Sequence, residues 1–408
     1  MLLSVCFTNF GPYHLARLRA LAGRLASSGD RLLAYEVADE EERYPWARDR
    51  GAGPFDRTTL FPGRSLESIP RDACAAAMTR ALDRDRPDAL GIVGYARPES
   101  MAALRWARRH GRPTILMSES QEIDHPRTWW KEAVKRRRVS GFTAGLVGGP
   151  RHRDYLVKLG LPADRIAFGY NAVDNEAFAR RADAARLDPR GRMGLPAAPY
   201  FLAVNRFVPE KNLPRLVRAF ARYRAAAPEG RPWDLVLCGG GPGEGQVDAT
   251  IAATGLGHAI HRPGFLQADG LGRWLAFASA FVHPSLMEPW GLVVNEAAAC
   301  GVPLLVSDRA GCIETLVPEP PGTTGRRFDP DDEADLAAAL AWVAGLPEAD
   351  RAAMGRRAAD VVADWGPDRF ARGTIEAVAI AMARADRGGS RASSCRKLAT
   401  RARDGAGR

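Results

Sequence analysis

Two carboxylates and two cations in the C-terminal half have the spacing to hold a phosphorylated ligand. Glu288 and Glu296 lie within Pro284-Ser-Leu-Met-Glu-Pro-Trp-Gly-Leu-Val-Val-Asn-Glu-Ala-Ala-Ala-Cys-Gly301, with seven residues separating them, and Arg206 and Lys211 lie within Val204-Asn-Arg-Phe-Val-Pro-Glu-Lys211. A strand is expected to end at His283, a Pro-bounded loop to carry Glu288, and a helix to start near Gly291 and close at Gly301. The amides of Gly291, Leu292 and Val293 at that helix start suit a phosphate anion, and Gly291 lets it approach the backbone closely. Glu296, five residues on, is about 7.5 Å further along the axis, near the span from a diphosphate to its ribose. Glu288 would then face whatever lies beyond the phosphates. Two carboxylates beside a diphosphate repel it, so compensating charge is required. Arg206 offers a bidentate fork and Lys211 a point charge, and the balance closes without a metal.

Other motifs fit poorer chemistry. Gly239-Gly-Gly-Pro-Gly-Glu-Gly245 places Glu244, Gln246 or Asp248 at the third glycine of a dinucleotide fingerprint and has no Lys-Ser/Thr of a P-loop. A turn bringing Gly239 and Gly241 near a ligand is the preferred reading. Asp83-Arg-Asp85 resembles a metal-binding pair but precedes a strand, so a solvated helix end is expected. The six cysteines form no Cys-x-x-Cys pair, and no His stands at zinc-ligand spacing. His14 opens a helix after a Gly-Pro turn at the end of the first strand, where a catalytic or acceptor-binding role competes with capping and packing.

The elements that must position these residues alternate as short apolar strands and Ala/Arg/Leu-rich helices, the pattern of a parallel α/β sheet. Strands are predicted at Leu2–Phe7, Arg31–Glu36, Ala89–Val93, Thr114–Met117, Ala144–Val147, Arg165–Phe168, Tyr200–Val204, Leu235–Cys238, Ala280–His283 and Pro303–Ser307. The segment 187–199, with three Pro and two Gly, reads as a linker between a domain over 1–186 and one over 200–365. After Gly366-Pro367 an amphipathic pattern resumes over 369–385, a helix able to return to the first domain. The tail 386–408 is Gly/Ser/Arg-rich and expected to be disordered.

Of the net charge of +10, residues 384–408 carry +6 (seven Arg and one Lys against two Asp) and residues 127–138 carry +5, leaving −1 for the rest. The broad basic stripe of a nucleic-acid surface is therefore missing from the sequence, and nucleic acid is not an expected partner. Trp129, Trp130, Lys135, Arg136, Arg137 and Arg138 mix aromatics and cations at helical spacing. They form either a solvated helix or a peripheral contact with anionic lipid or an anionic acceptor. No window approaches the roughly 18 apolar residues of a membrane span, and the short apolar N-terminus lacks a basic leader. A cytoplasmic location is expected, with the option of the inner face of the membrane.

Residues 200–328 resemble the nucleotide-binding half of retaining glycosyltransferases of family 4. The matching pieces are Arg206 with Lys211, Cys238-Gly-Gly-Gly-Pro242, Pro-Gly-Phe around 265, Ala280-Phe-Val-His-Pro-Ser285, Glu288 with Glu296, and Ser307-Asp-Arg-Ala-Gly311. The first domain matches more loosely through Tyr170-Asn-Ala-Val-Asp174 and through Asn9-Phe-Gly-Pro-Tyr-His14, which contains Gly11. The resemblance implies a GT-B fold, α/β, with two Rossmann-like doubly wound domains facing across a cleft. It implies transfer of a sugar from a nucleotide-diphosphate sugar to an acceptor hydroxyl, with retention of anomeric configuration and no metal or other cofactor. Arg206 and Lys211 would hold the diphosphate, Glu296 the ribose and Glu288 the sugar. The family pattern has Gly where this chain has Asn205, and a His at the end of a first-domain strand that here reads Ile115-Leu-Met-Ser-Glu-Ser120. Glu119, His125 or His14 is expected to serve that region. Polysaccharides, glycolipids and other glycoconjugates are the expected products. An epimerase- or phosphorylase-like enzyme on the same scaffold and a non-catalytic nucleotide-sugar or lipid-binding protein are the rival readings.

Overall fold

The computed structural model describes residues 1–42, 46, 53–227 and 232–388. The chain divides into two compact units, one formed by Met1–Val173 with the segment starting at Pro367, the other by Asp174–Gly366.

The first unit is built on seven strands: β1 (Leu2–Phe7), β2 (Arg31–Glu40), β3 (Asp56–Ser65), β4 (Ala89–Val93), β5 (Thr114–Ser118), β6 (Ala144–Val147) and β7 (Ile166–Phe168). They are parallel and ordered β3-β2-β1-β4-β5-β6-β7. The second unit has β8 (Tyr200–Val204), β9 (Asp234–Cys238), β10 (Ile260–Gly264), β11 (Ala280–His283), β12 (Leu304–Ser307) and β13 (Gly325–Phe328), parallel and ordered β10-β9-β8-β11-β12-β13. Both orders reverse direction beside the first strand of the unit, and ligands of such sheets bind beyond the strand C-termini at that switch point. Here the switch points are β1/β4 and β8/β11.

The central strands are short apolar runs because helices cover both faces of the sheet; Leu3, Val5, Leu202, Val282 and Leu305 are fully buried. Three strands escape the sequence pattern: β3 with Pro62 and Gly63, β10 with Pro263, and β13 with Arg326 and Arg327. All three are edge strands, where Pro and charge are tolerated because one side of the strand is unpaired.

The terminal helix spans Pro367–Gly388 and packs into the first unit, placing Phe370, Ala371, Ala377, Val378 and Ala381 in its core. Gly373 lies so close to the Phe168 carbonyl that a Cβ would collide with it. The tail expected over 386–408 falls, from residue 389 onward, outside the described residues. The division at Val173 moves the domain boundary expected at 186: the helix Asn175–Leu187 belongs to the second unit, where Arg186 donates to the carbonyls of Ala276 (3.1 Å) and Cys300 (2.6 Å). Composition marked the Pro/Gly segment, but these long-range hydrogen bonds decide where the unit begins.

Candidate active site

In the second unit the switch point gathers loops from β8, β9, β11 and β12. The chain leaves β8 at Asn205, passes Arg206 and turns through Pro209–Lys211; leaving β11 at His283, it reaches Glu288 and then the helix Leu292–Ala299. The two loops are joined by the Leu286 amide donating to the Glu210 carbonyl (2.8 Å), and the β12 loop joins through the Gly311 amide donating to the Glu288 carbonyl (3.0 Å). The Lys211 ammonium is ion-paired with the Glu288 carboxylate, the two side chains being 15% and 12% exposed. His283 Nε2 lies 2.8 Å from the same Glu288 oxygen, and Ser285 Oγ is 3.1 Å from Nε2.

Burial alone would raise the Glu288 pKa, but the Lys211 charge and the hydrogen bond from His283 overcome it and bring it down to about 2. Burial lowers the His283 pKa against the opposing pull of Glu288. The ring is therefore neutral, and because a carboxylate only accepts, Nε2 carries the proton and donates to Glu288. His283 Nδ1 is then a bare buried acceptor with no partner. His283 ends a predicted strand five residues before Glu288, the one signal that could have marked it; its burial and its bond are tertiary facts.

Arg206 approaches Glu210, an acid of its own loop, at 3.8 Å. The cations expected to face only an incoming anion thus each have a carboxylate counterpart in the chain. Glu288, expected to face a ligand from the loop, shares its carboxylate between Lys211 and His283. Glu296 is 2% exposed, in the second turn of its helix. Gly291 precedes that helix with φ +98°, a left-handed conformation suited to glycine. Leu292 and Val293 form its first turn, where helix amides lack intrahelical acceptors. The helix is anchored by Trp290, whose Nε1 donates to Asn295 Oδ1 (2.9 Å) and whose ring stacks on Trp365.

Gly239 and Gly241 have φ of +129° and +148°. A Cβ at Gly239 would collide with the Asn205 carbonyl oxygen, and one at Gly241 would come within 2.9 Å of that of Phe207. Their first duty is to let the β9 loop close on the β8 loop, through the Phe207 amide to Gly240 (2.8 Å) and the Gly243 amide to Phe207 (2.7 Å). Asn205 is buried with both amide atoms unpartnered.

In the first unit, His14 is in the first turn of the helix Pro12–Ala26, accepts from the Gly11 amide (3.3 Å) at Nδ1 and packs on Phe7 with ring centroids 4.3 Å apart. Burial, reinforced by the charge of Arg17, drops its pKa to about 3. Such a ring is a poor proton acceptor at neutral pH, so the geometry favours the packing and capping reading. Gly11 is the residue before this helix and abuts the Trp46 ring. The preceding loop is held by Glu36, which accepts from the Phe10 amide and from Thr59 Oγ1, both at 2.7 Å. Nothing in the sequence pattern separated this buried acid from the other strand residues. Glu119 follows β5 and accepts from Asn171 Nδ2 (3.1 Å), while His125 is exposed.

Asp83 and Asp85 lie in the last turn of the helix Arg71–Asp85, the helix end expected of them, with Asp83 exposed and Asp85 half-buried; Asp83 also accepts from Trp106 Nε1 (2.7 Å) and Asp85 from the Tyr35 hydroxyl (2.8 Å). Within the basic helix Trp129–Val139, Lys135 turns inward to Glu132 (2.8 Å) and the Tyr155 hydroxyl (2.9 Å), and Arg138 donates to the Tyr95 carbonyl (3.3 Å). Trp129, Trp130, Arg136 and Arg137 remain exposed.

The fold is that of the GT-B glycosyltransferases, α/β with two Rossmann-like units on parallel sheets. Among solved structures, sucrose-phosphate synthase from Thermosynechococcus elongatus superposes with a TM-score of 0.71 at 19% identity, covering 91% of this chain and 96% of that one. A structure described as trehalose-6-phosphate from E. coli bound with UDP-2-fluoro glucose gives 0.69 at 12% identity, covering 93% and 99%. Residues 195–361 match the family model "Glycosyl transferases group 1". The alpha-D-kanosaminyltransferase of Streptomyces kanamyceticus is 28% identical over 259 residues, 63% of each chain, so the match spans less than two thirds of that relative's length. Together these findings show the GT-B fold for the chain and a likeness to the group 1 glycosyltransferases over residues 195–361.

Proposed function

We propose that this protein is a glycosyltransferase that moves a sugar from a nucleotide-diphosphate sugar to an acceptor hydroxyl, with retention of configuration, without a divalent cation, and in glycoconjugate synthesis. The observation that carries the reading is the Lys211–Glu288–His283 cluster at the switch point within the segment that matches the family model. Arg206, Lys211 and the helix start at Gly291 supply positive potential where the departing diphosphate accumulates charge, a preorganised form of stabilisation. Glu288, fixed as a carboxylate, orients the sugar hydroxyls, and Glu296 accepts from the ribose. The bond from the anomeric carbon to the diphosphate breaks as the acceptor oxygen bonds to that carbon. The acceptor proton passes to the leaving phosphate. Asn205 offers its unpartnered amide to the donor, because a buried amide without a partner costs about 1–3 kcal/mol that a ligand can recover.

A thermal-shift panel of nucleoside diphosphates and their sugars identifies the donor: a ligand at 100 times its dissociation constant adds about 2.7 kcal/mol. Proton NMR of the product gives its anomeric configuration, and turnover in chelator checks the metal. An inverted product, or donor turnover unaltered in a folded Glu288→Ala protein, defeats the reading.

The reading extends to peripheral membrane contact at the cytoplasmic face. Trp129 is 84% and Trp130 53% exposed, on the same helix as the exposed Val134, Lys131, Arg136 and Arg137. Interfacial aromatics beside cations match an anionic bilayer surface.

A further inference from the structure

The edge of the first sheet where β5, β6 and β7 begin lies about 16 Å, five strand residues, from the edge that carries Glu119. Gly111, Arg112, Pro113, Thr143, Arg165 and Arg384 line a solvent-open pocket of about 380 Å³ there. Its frame is fixed by the Thr143 amide donating to the Thr114 carbonyl (3.0 Å) and the Arg112 amide to that of Ala107 (2.8 Å). Two of the three arginines have acidic partners: Arg112 with Asp88 at 3.1 Å and Arg384 with Asp164 at 2.7 Å. Arg165 has none among the described residues, and its buried Nε has no hydrogen-bond acceptor. Arg165 as a whole is half-buried and lines the pocket, so its guanidinium charge stands there without a carboxylate to offset it.

We propose that this pocket binds the phosphoryl group of a small phosphomonoester, with Arg165 as its principal partner and Arg112 and Arg384 flanking it. Guanidinium forks match phosphoryl oxygens in pairs. Three cations against two carboxylates leave a surplus positive charge, centred on Arg165. The volume exceeds a bare phosphate and falls within the roughly 300–1,000 Å³ of small-molecule sites, leaving room for a sugar-sized body. Arg384 comes from the terminal helix, so an occupied pocket ties that helix to the strand starts.

Calorimetric titration of the full chain tests this with glucose 6-phosphate, glucose, inorganic phosphate and phosphatidylglycerol vesicles in separate arms at matched ionic strength. Glucose 6-phosphate is expected to bind and glucose not to. Arg165→Gln should weaken binding at least tenfold and Arg384→Gln at least threefold, while Arg206→Ala, which alters the proposed donor site, leaves it within twofold. Arg384 is on a helix surface, so its variant reports even if Arg165→Gln does not fold. No heat with the wild type, affinity unaltered in the folded variants, loss only in Arg206→Ala, or a response to vesicles alone overturns the proposal.

Discussion

Lys211 and Glu288 hold each other in place, so a substitution at one exposes the charge of the other. Removing one partner of a buried pair costs about 3 kcal/mol or more, and Glu288→Gln is expected to lower stability by about 3 kcal/mol at pH 7, measured by urea unfolding. The pH dependence has a definite sign. With its pKa depressed to about 2, Glu288 contributes stability that is complete above the ordinary value of 4.5 and is lost as pH falls toward 2. The gap between wild type and Glu288→Gln should therefore narrow across that window; a constant gap means the carboxylate is not depressed. His14 titrates in the opposite chemical sense with the same outcome: it is neutral in the fold, so stability declines as pH drops from 6.5 toward 3. His14→Gln should flatten that decline and retain turnover at pH 7. For chemistry, Arg206→Ala or Lys211→Ala should slow turnover tenfold or more, at least about 1.4 kcal/mol, with kcat falling more than KM rises.

At the level of elements, the loops after β8 and β9 form one packed object. Gly239→Ala forces a strained left-handed residue against the Asn205 carbonyl. Strain of about 1–3 kcal/mol plus that collision should lower the melting temperature by several degrees, read by calorimetry. It should also weaken nucleotide affinity, since Asn205 and Arg206 belong to the displaced loop. The motif spacing made Arg206, Lys211, Glu288 and Glu296 legible because a strand, a tight loop and a helix leave few places for each side chain. It did not reveal Glu210 or His283, whose partners Arg206 and Glu288 meet them only through the way each loop folds back, or Glu36, whose partners Phe10 and Thr59 come from other elements. Nor did it reveal that Gly239 and Gly241 face backbone carbonyls of a neighbouring loop.

For the whole molecule, the charge is concentrated rather than spread. The exposed face of the helix Trp129–Val139 should bind vesicles rich in anionic lipid and release them as salt rises, since the Debye length shrinks to about 3 Å at 1 M. Co-sedimentation of a Trp129→Ala/Trp130→Ala double variant should show at least a tenfold loss. Equal binding to neutral and anionic vesicles, or no loss in the variant, removes the membrane from the account. Among the described residues no helix is long and apolar enough to cross a bilayer.

The alternation of apolar runs with helical stretches sufficed for two parallel α/β units, because strands covered on both faces must be continuously apolar and leave that imprint in the chain. Spacing also placed Arg206, Lys211 and Glu288 in the loops that leave β8 and β11, and Glu296 in the helix that follows. Only the tertiary structure decided that the helix Asn175–Leu187 opens the second unit, that Lys211 is answered by Glu288, and that Arg165 is left without a partner beside a pocket. Those facts are set by contacts between residues tens or hundreds of positions apart, and a local pattern carries no information about which distant group will satisfy a charge.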